Sequence, residues 1–244
     1  MDTFFYFNLK MVSTFTLSKA SIIYLFISIT LGSFSLVCGQ EEDTNAEVFF
    51  REDQFYLGAS FMILQSDQED FSPRGLSRHF QWGFIRDIPI IPSGKIALGL
   101  GLGMSFERYN TNLNLDETEV NPVKFLIADE STSPLFFSIR SFELPLTVRW
   151  RNATPDNFAF WRVYGGVSLR WNYYNKIRQE IFELKNSNEF NNFGTIAHLS
   201  FGYNTWNFYF AYHLNPFFKK TFLDSNNIPL EINPLKIGLI FYIL

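Results

Sequence analysis

Between Ile96 and Glu107 the chain alternates without a break. Ile96, Leu98, Leu100, Leu102, Met104 and Phe106 occupy one parity, and Ala97, Gly99, Gly101, Gly103, Ser105 and Glu107 occupy the other. Side chains of a strand point alternately to its two faces, so this segment predicts a strand with one large apolar face and one small or polar face. A helix would spread these glycines around its circumference and lose stability at each.

The pattern recurs. Phe142, Leu144, Leu146, Val148 and Trp150 oppose Ser141, Glu143, Thr147, Arg149 and Arg151. Trp161, Val163, Val167, Leu169, Trp171 and Tyr173 oppose Arg162, Tyr164, Ser168, Arg170, Asn172 and Tyr174. Trp206 to Leu214 and Leu235 to Ile243 read the same way, and weaker versions run over 55–63, 80–84 and 195–203. Eight strands are expected, over 54–65, 78–86, 95–108, 137–150, 160–174, 193–203, 206–214 and 235–244. Each is near the roughly 9–11 residues that a tilted strand needs to cross a bilayer.

Alternation by itself also fits a soluble sandwich or barrel with the bulky face inward. Such a barrel must fill its inside with bulk and present polar groups outside, yet the parity opposite the bulk is rich in glycine. Composition points the same way: 30 Phe and 11 Tyr in 244 residues exceed what a soluble domain of this size needs. A mean hydropathy of −0.01 is at the same time too low for a helical membrane bundle. Rings gather near expected strand ends, at Trp82, Tyr109, Trp150, Trp161, Trp171, Tyr173, Tyr203 and Trp206, as interfacial girdles require. The gaps alternate long and short: 66–77, 87–94, 109–136, 151–159, 175–192, 204–205 and 215–234. Short periplasmic turns and long external loops give that alternation, with both termini periplasmic when the strand number is even. The expectation is an all-β, eight-stranded antiparallel transmembrane β-barrel of up-and-down meander topology, preceded by a signal peptide. Residues Val123 to Ala128 inside the longest loop extend a hairpin or add to the barrel, leaving eight or ten strands open.

Ahead of the barrel, Ser21 to Phe34 is uncharged and apolar, follows Lys10 and Lys19, and leads to Val37-Cys38-Gly39-Gln40. A positive start, a short apolar run and small residues at the end make an export signal, with cleavage expected after Gly39. An uncleaved anchor, a lipid on Cys38 and initiation at Met11 are the other readings. The division is 1–39 signal peptide, 40–53 short periplasmic segment and 54–244 barrel. One cysteine excludes an intrachain disulfide framework and any cysteine-based zinc site. A formal net charge of −4 supplies no general attraction to nucleic acid.

An eight-stranded barrel is just wide enough inside for side chains to fill it. The inward parity places Glu107, Glu143, Arg149, Arg162, Arg170, His198, His213 and Lys236 in the lumen, where they are expected to form an ion-pair and hydrogen-bond plug. An ion path is the competing use. Arg86 shares the outward parity and is expected at the periplasmic rim, where a long cationic chain can snorkel. His198 and Ser200 share a face, as in the His-x-Ser pair of some lipid A deacylases, but Phe201 stands where that motif has Asn, and His198 points inward. The three histidines lie on different strands without ligand spacing, so no metal or other cofactor is expected. Gly99 to Gly103 lies mid-strand and is explained by crowding in a narrow lumen rather than as a phosphate loop.

Several segments together resemble the PorT family of Bacteroidetes outer-membrane barrels. They are Phe84 to Pro89, Ile96 to Gly103, Tyr109 to Leu113, Glu143 to Leu146 with Arg149 to Arg151, Phe160 to Gly166, Gly202 to Tyr209 and Leu235 to Leu244. The resemblance implies a non-enzymatic outer-membrane component or assembly factor of type IX secretion, and of gliding where that occurs. It brings no catalytic residue. The implied partners are outer-membrane lipid and other secretion-system proteins, with no nucleic acid and no small-molecule substrate. A small porin or passive channel, and less so a lipid A-modifying enzyme, are the alternatives.

Overall fold

The computed structural model describes residues 51–66, 71–120, 123–127, 133–152, 160–219 and 229–243. The chain divides into two units, Met1–Ala46 and Glu47–Leu244, and every described residue belongs to the second. The expected export signal, with Met11, Cys38 and the cleavage point after Gly39, lies outside the described residues.

Among the described residues eleven strands run in chain order: β1 (Gln54–Ser66), β2 (Ser77–Pro89), β3 (Ile96–Thr111), β4 (Leu113–Val120), β5 (Val123–Ile127), β6 (Leu135–Arg151), β7 (Trp161–Gln179), β8 (Phe182–Lys185), β9 (Phe193–Tyr203), β10 (Trp206–His213) and β11 (Ile232–Ile243). Eight of them form the barrel, in the spatial order β6, β3, β2, β1, β11, β10, β9, β7, and pairing of β7 with β6 closes the ring. All of these pairings are antiparallel, and β1 meets β11 from Phe55 opposite Ile243 to Ser66 opposite Ile232. The meander and strand count match the alternation. The open question at Val123 to Ala128 resolves as β4 and β5, a separate two-stranded hairpin within the β3–β6 connection, so the barrel has eight strands.

One end of the barrel holds the start of β1, the end of β11 and the short connections 90–95, 152–160 and 204–205; it is called the turn end. Asn204 and Thr205 join β9 to β10 in two residues, and Asn204 takes a left-handed backbone (φ 54°), a conformation asparagine tolerates better than most residues. The opposite, loop end carries the long connections.

Alternating burial runs along β1, β2, β3, β6 and β10 and along most of β7, β9 and β11. The bulky parity faces outward: Leu102 is 64% exposed, Phe61 58% and Phe208 56%. Such a continuous apolar belt would be untenable in water and is suited to lipid. At the turn end Trp161 meets Tyr203 with ring centres 5.6 Å apart, and Trp206 meets Phe241 at 4.6 Å. Two rings depart from the expected girdles. Trp82 lies within β2 opposite Leu57 and Met104, away from a strand end. Tyr109 shares the parity of Glu107 and is buried in the lumen.

A second departure is in β7. Arg140 pairs with Tyr174 and Ser141 with Asn172, so Tyr173 is an extra residue in a β-bulge. Past it the parity inverts: Asn175, Ile177 and Gln179 turn inward, while Tyr174, Lys176 and Arg178 turn outward. Tyr174, expected inside by uninterrupted alternation, is therefore on the outer face.

The β3 glycines are set by crowding. A Cβ on Gly103 would overlap the Tyr56 hydroxyl, and one on Gly99 would overlap the Thr147 side chain. Gly103→Val is accordingly expected to cost about 1–3 kcal/mol by overpacking, while the outward Leu102→Val stays within about 0.5 kcal/mol. Urea unfolding of the barrel in lipid vesicles checks this, and the reverse order would mean that the glycine parity is not interior.

Candidate functional site

The lumen holds the candidate site, in three layers from the turn end to the loop end. Parity along β6 places Arg149 and Arg151 inside, β7 adds Arg162, and β2 adds Asp87. The chain just before β1 folds into this end and contributes Glu52, which is 2% exposed, followed by Gln54 at the first position of β1. Asp87 binds Arg149 at 2.6 Å and Arg151 at 2.7 Å; Glu52 binds Arg162 at 2.8 Å and Arg151 at 3.2 Å. Arg149 also donates to Gln54 Oε1. Arg151 donates from Nε to the Gly94 carbonyl at 2.7 Å, and Arg162 to the Asn204 carbonyl at 2.8 Å, so two of the short turns are tied to the cluster. The Arg149 guanidinium lies 4.2 Å over the Tyr164 ring, and that of Arg162 4.5 Å over Phe160. Buried charges are tolerable only when paired and hydrogen-bonded, and three guanidiniums sharing two carboxylates, an amide, backbone carbonyls and two rings meet that condition.

The middle layer centres on Glu107. Its carboxylate takes Lys236 Nζ at 2.6 Å, Arg170 at 2.8 Å and the Tyr109 hydroxyl at 2.6 Å, with His213 Nε2 at 3.4 Å. Beside it, His79 and Glu143 are buried, and their ligand atoms lie within 4.8 Å of one another and of Glu107. Two carboxylates and an imidazole resemble a cation site in composition. Here Lys236 and Arg170 already supply the positive charge that a divalent ion would bring, so the cluster is an ion-pair core rather than a metal centre.

Tyr56, Tyr164, Tyr209 and Tyr242 fill the space between the two charged layers, with Tyr164 and Tyr242 edge to face at 5.1 Å. The cavity among Tyr56, Gln81, Glu143, Ser168, His198 and Tyr209 leaves about 20 Å³ for water centres, space for about one molecule. The third layer caps the loop end with apolar side chains. Phe190, Phe217, Phe218 and Leu230, from the long connections, pack on Phe137, Tyr109 and Ile232 from the strands. Phe137 lies 5.3 Å from Phe218 and 5.8 Å from Phe217, and Tyr109 4.7 Å from Phe217. The side chains of this cap are almost fully buried.

The charged and histidine side chains that alternation placed in the lumen, from Glu107 to Lys236, are inside, whereas Tyr174 is not, and they do not form one cluster. Arg149 and Arg162 belong to the turn end; Glu107, Arg170, His213 and Lys236 to the middle; and Glu143 lies beside His79. His198 faces Ser168 instead, with Nδ1 3.2 Å from the hydroxyl. Ser200 shares its hydrogen bond with the Tyr242 hydroxyl at 3.0 Å, so His198 and Ser200 are each engaged elsewhere and not with one another. Arg86 sits at the turn-end rim as expected and is held by Asp53 at 2.6 Å. Glu52, Asp87 and His79 were not among the candidates. Asp87 and His79 carry the inward parity of β2, a readable signal, but Glu52 precedes the strand and has no pattern to mark it.

Closed pairing, lipid-type belt and filled interior together define an eight-stranded transmembrane β-barrel with an occluded lumen. No family model and no curated protein matches the chain. Among solved structures it is similar to Ail, the attachment invasion locus protein of Yersinia pestis, at 8% identity and a TM-score of 0.34 over 78% of this chain and 97% of that one. The same protein in complex with the heparin analogue sucrose octasulfate gives 9% identity and a TM-score of 0.35 over 79% and 99%. The barrel assignment rests on the pairing and the belt themselves.

Removing one member of a buried ion cluster strands the others. Glu107→Gln, which leaves Lys236 and Arg170 undercompensated, is expected to destabilise the barrel by about 3–5 kcal/mol, and Glu107→Gln with Lys236→Met to regain part of that loss. Glu183→Gln on the exposed β8 serves as the control. Unfolding midpoints in vesicles report the outcome, and a double variant no more stable than Glu107→Gln alone would count against the coupling.

Proposed function

We propose that this chain is a non-enzymatic integral outer-membrane barrel that supports type IX protein secretion, and gliding where present, as a component or assembly factor. Both termini face the periplasm in this reading, and the long connections face outward. The secretion role rests on the resemblance to the PorT family along the mature chain. The observation that favours a supporting role over a conduit is the filled lumen: two charged layers, the tyrosines packed between them and a phenylalanine cap leave no room for a polypeptide. A barrel that passes nothing acts through its surfaces. Lipid covers the belt, and other secretion-system proteins dock on the loops and on the turns, which the Gly94 and Asn204 contacts to buried arginines hold rigid.

Deleting the gene is expected to remove type IX cargo from the culture supernatant, with re-expression restoring it. Normal cargo release with the protein absent by immunoblot would overturn the reading. Planar-bilayer recording of the refolded protein is expected to be silent; steady conductance would favour the passive channel instead.

A further inference from the structure

The two rims of the barrel differ in how their outward cations are balanced. At the turn end Asp53 takes both Arg86, at 2.6 Å, and Arg51, at 3.7 Å. At the loop end Arg78, Arg108, Arg140 and Arg178 point outward, and among the residues whose side chains are described no carboxylate lies within ion-pair distance of any of them. Lys176 and Lys185 share the single Glu183, at 2.5 and 3.0 Å. Hydrogen bonds from Lys176 and then from Lys185 hold that carboxyl below its usual range, so it stays ionised and is already engaged.

These cations sit at one level on adjacent strands. Outward apolar residues run from Ile96 to Phe106 on β3 and from Trp150 to Phe142 on β6, each close to the length that crosses a bilayer. The next outward residues are Arg108 and Arg140. On β7 the bulge at Tyr173 brings Lys176 and Arg178 to the same face; Ser138 stands opposite both Arg108 and Lys176. Uninterrupted alternation would have turned these two cations into the lumen.

Between the strands lies an outward groove of about 190 Å³, lined by Arg108, Arg140, Lys176, Arg178, Ser138 and Tyr174. Two of its arginines are set by rings. The Arg108 guanidinium lies 4.4 Å over Phe136, and that of Arg140 lies 5.0 Å from Tyr174 and 5.9 Å from Phe106. A ring covers a guanidinium's face but leaves its N–H edge free, and that edge matches a phosphate with two parallel hydrogen bonds. Uncompensated cations immediately beyond a lipid-facing belt attract anionic headgroups.

We propose that the outward groove on β3, β6 and β7 binds the phosphate groups of a phosphorylated glycolipid in the outer leaflet. The acyl chains of that lipid lie along the belt below, on Phe106, Phe142 and Trp171. The inference rests on the outward orientation of the loop end given under Proposed function and not on the secretion role.

The test uses the full barrel refolded in mixed micelles holding diphosphorylated lipid A and phosphatidylglycerol, with bound lipid counted by native mass spectrometry. Wild type is expected to retain lipid A in preference. The triple change Arg108→Gln, Arg140→Gln and Arg178→Gln is expected to lower that retention about tenfold or more, with the single changes intermediate, while Arg51→Gln with Arg86→Gln at the other rim leaves it unchanged. Folding of each variant is verified by the gel shift on boiling, and the single variants carry the test if the triple does not fold. Equal retention by folded variants would overturn the proposal, as would equal retention of phosphatidylglycerol, or full displacement by millimolar inorganic phosphate, which would mark a site for free phosphate. Labelling of a cysteine introduced at Ser187 in whole cells checks the orientation separately, so a failure there is distinguishable from a failure of the groove.

Discussion

A strand that crosses lipid has no water to satisfy its backbone, so each N–H and C=O must find a neighbouring strand, and an open sheet edge is excluded. Here that requirement is met by two junctions: β1 against β11, which brings together the beginning and end of the barrel sequence, and β6 against β7. Closing the sheet with only eight strands makes the inside narrow. The narrow lumen accounts for the glycine parity of β3, because a Cβ at those positions would meet Tyr56, Thr147 or Pro145.

The same narrowness explains why the charges are organised as they are. The charged groups of the lumen are almost fully buried, so they persist ionised only where partners are arranged around them. The turn-end arginines and the Glu107 hub are two separate solutions, with a layer of tyrosines between them whose rings fill space and whose hydroxyls give the charged groups polar neighbours. The phenylalanine cap then separates the hub from the loop end. A stack of this kind suits a protein whose work is done on its outside.

Outside, the two rims are unlike. One holds Arg51 and Arg86 on Asp53, and two of its turns are fastened from within. The other presents four arginines, of which Arg108 and Arg140 are backed by aromatic rings, without counter-charge among the residues whose side chains are described. A membrane whose leaflets differ in headgroup chemistry is the setting in which such asymmetry has a use.

Face, strand count and length of connection were legible in the sequence because lipid outside and crowding inside act on each strand separately, and period-two alternation records both. The inward set from Glu107 to Lys236 could be read for the same reason. Which of its members meet was beyond that reading: Arg149 finds Asp87 and Arg162 finds Glu52 across the ring, between residues far apart in the chain. Alternation also carries no mark of an inserted residue, so the bulge at Tyr173 and the outward turn of Lys176 and Arg178 emerged only with the pairing of β6 and β7. Local parity is a property of one strand; register, closure and the company that buried charges keep belong to the assembled barrel.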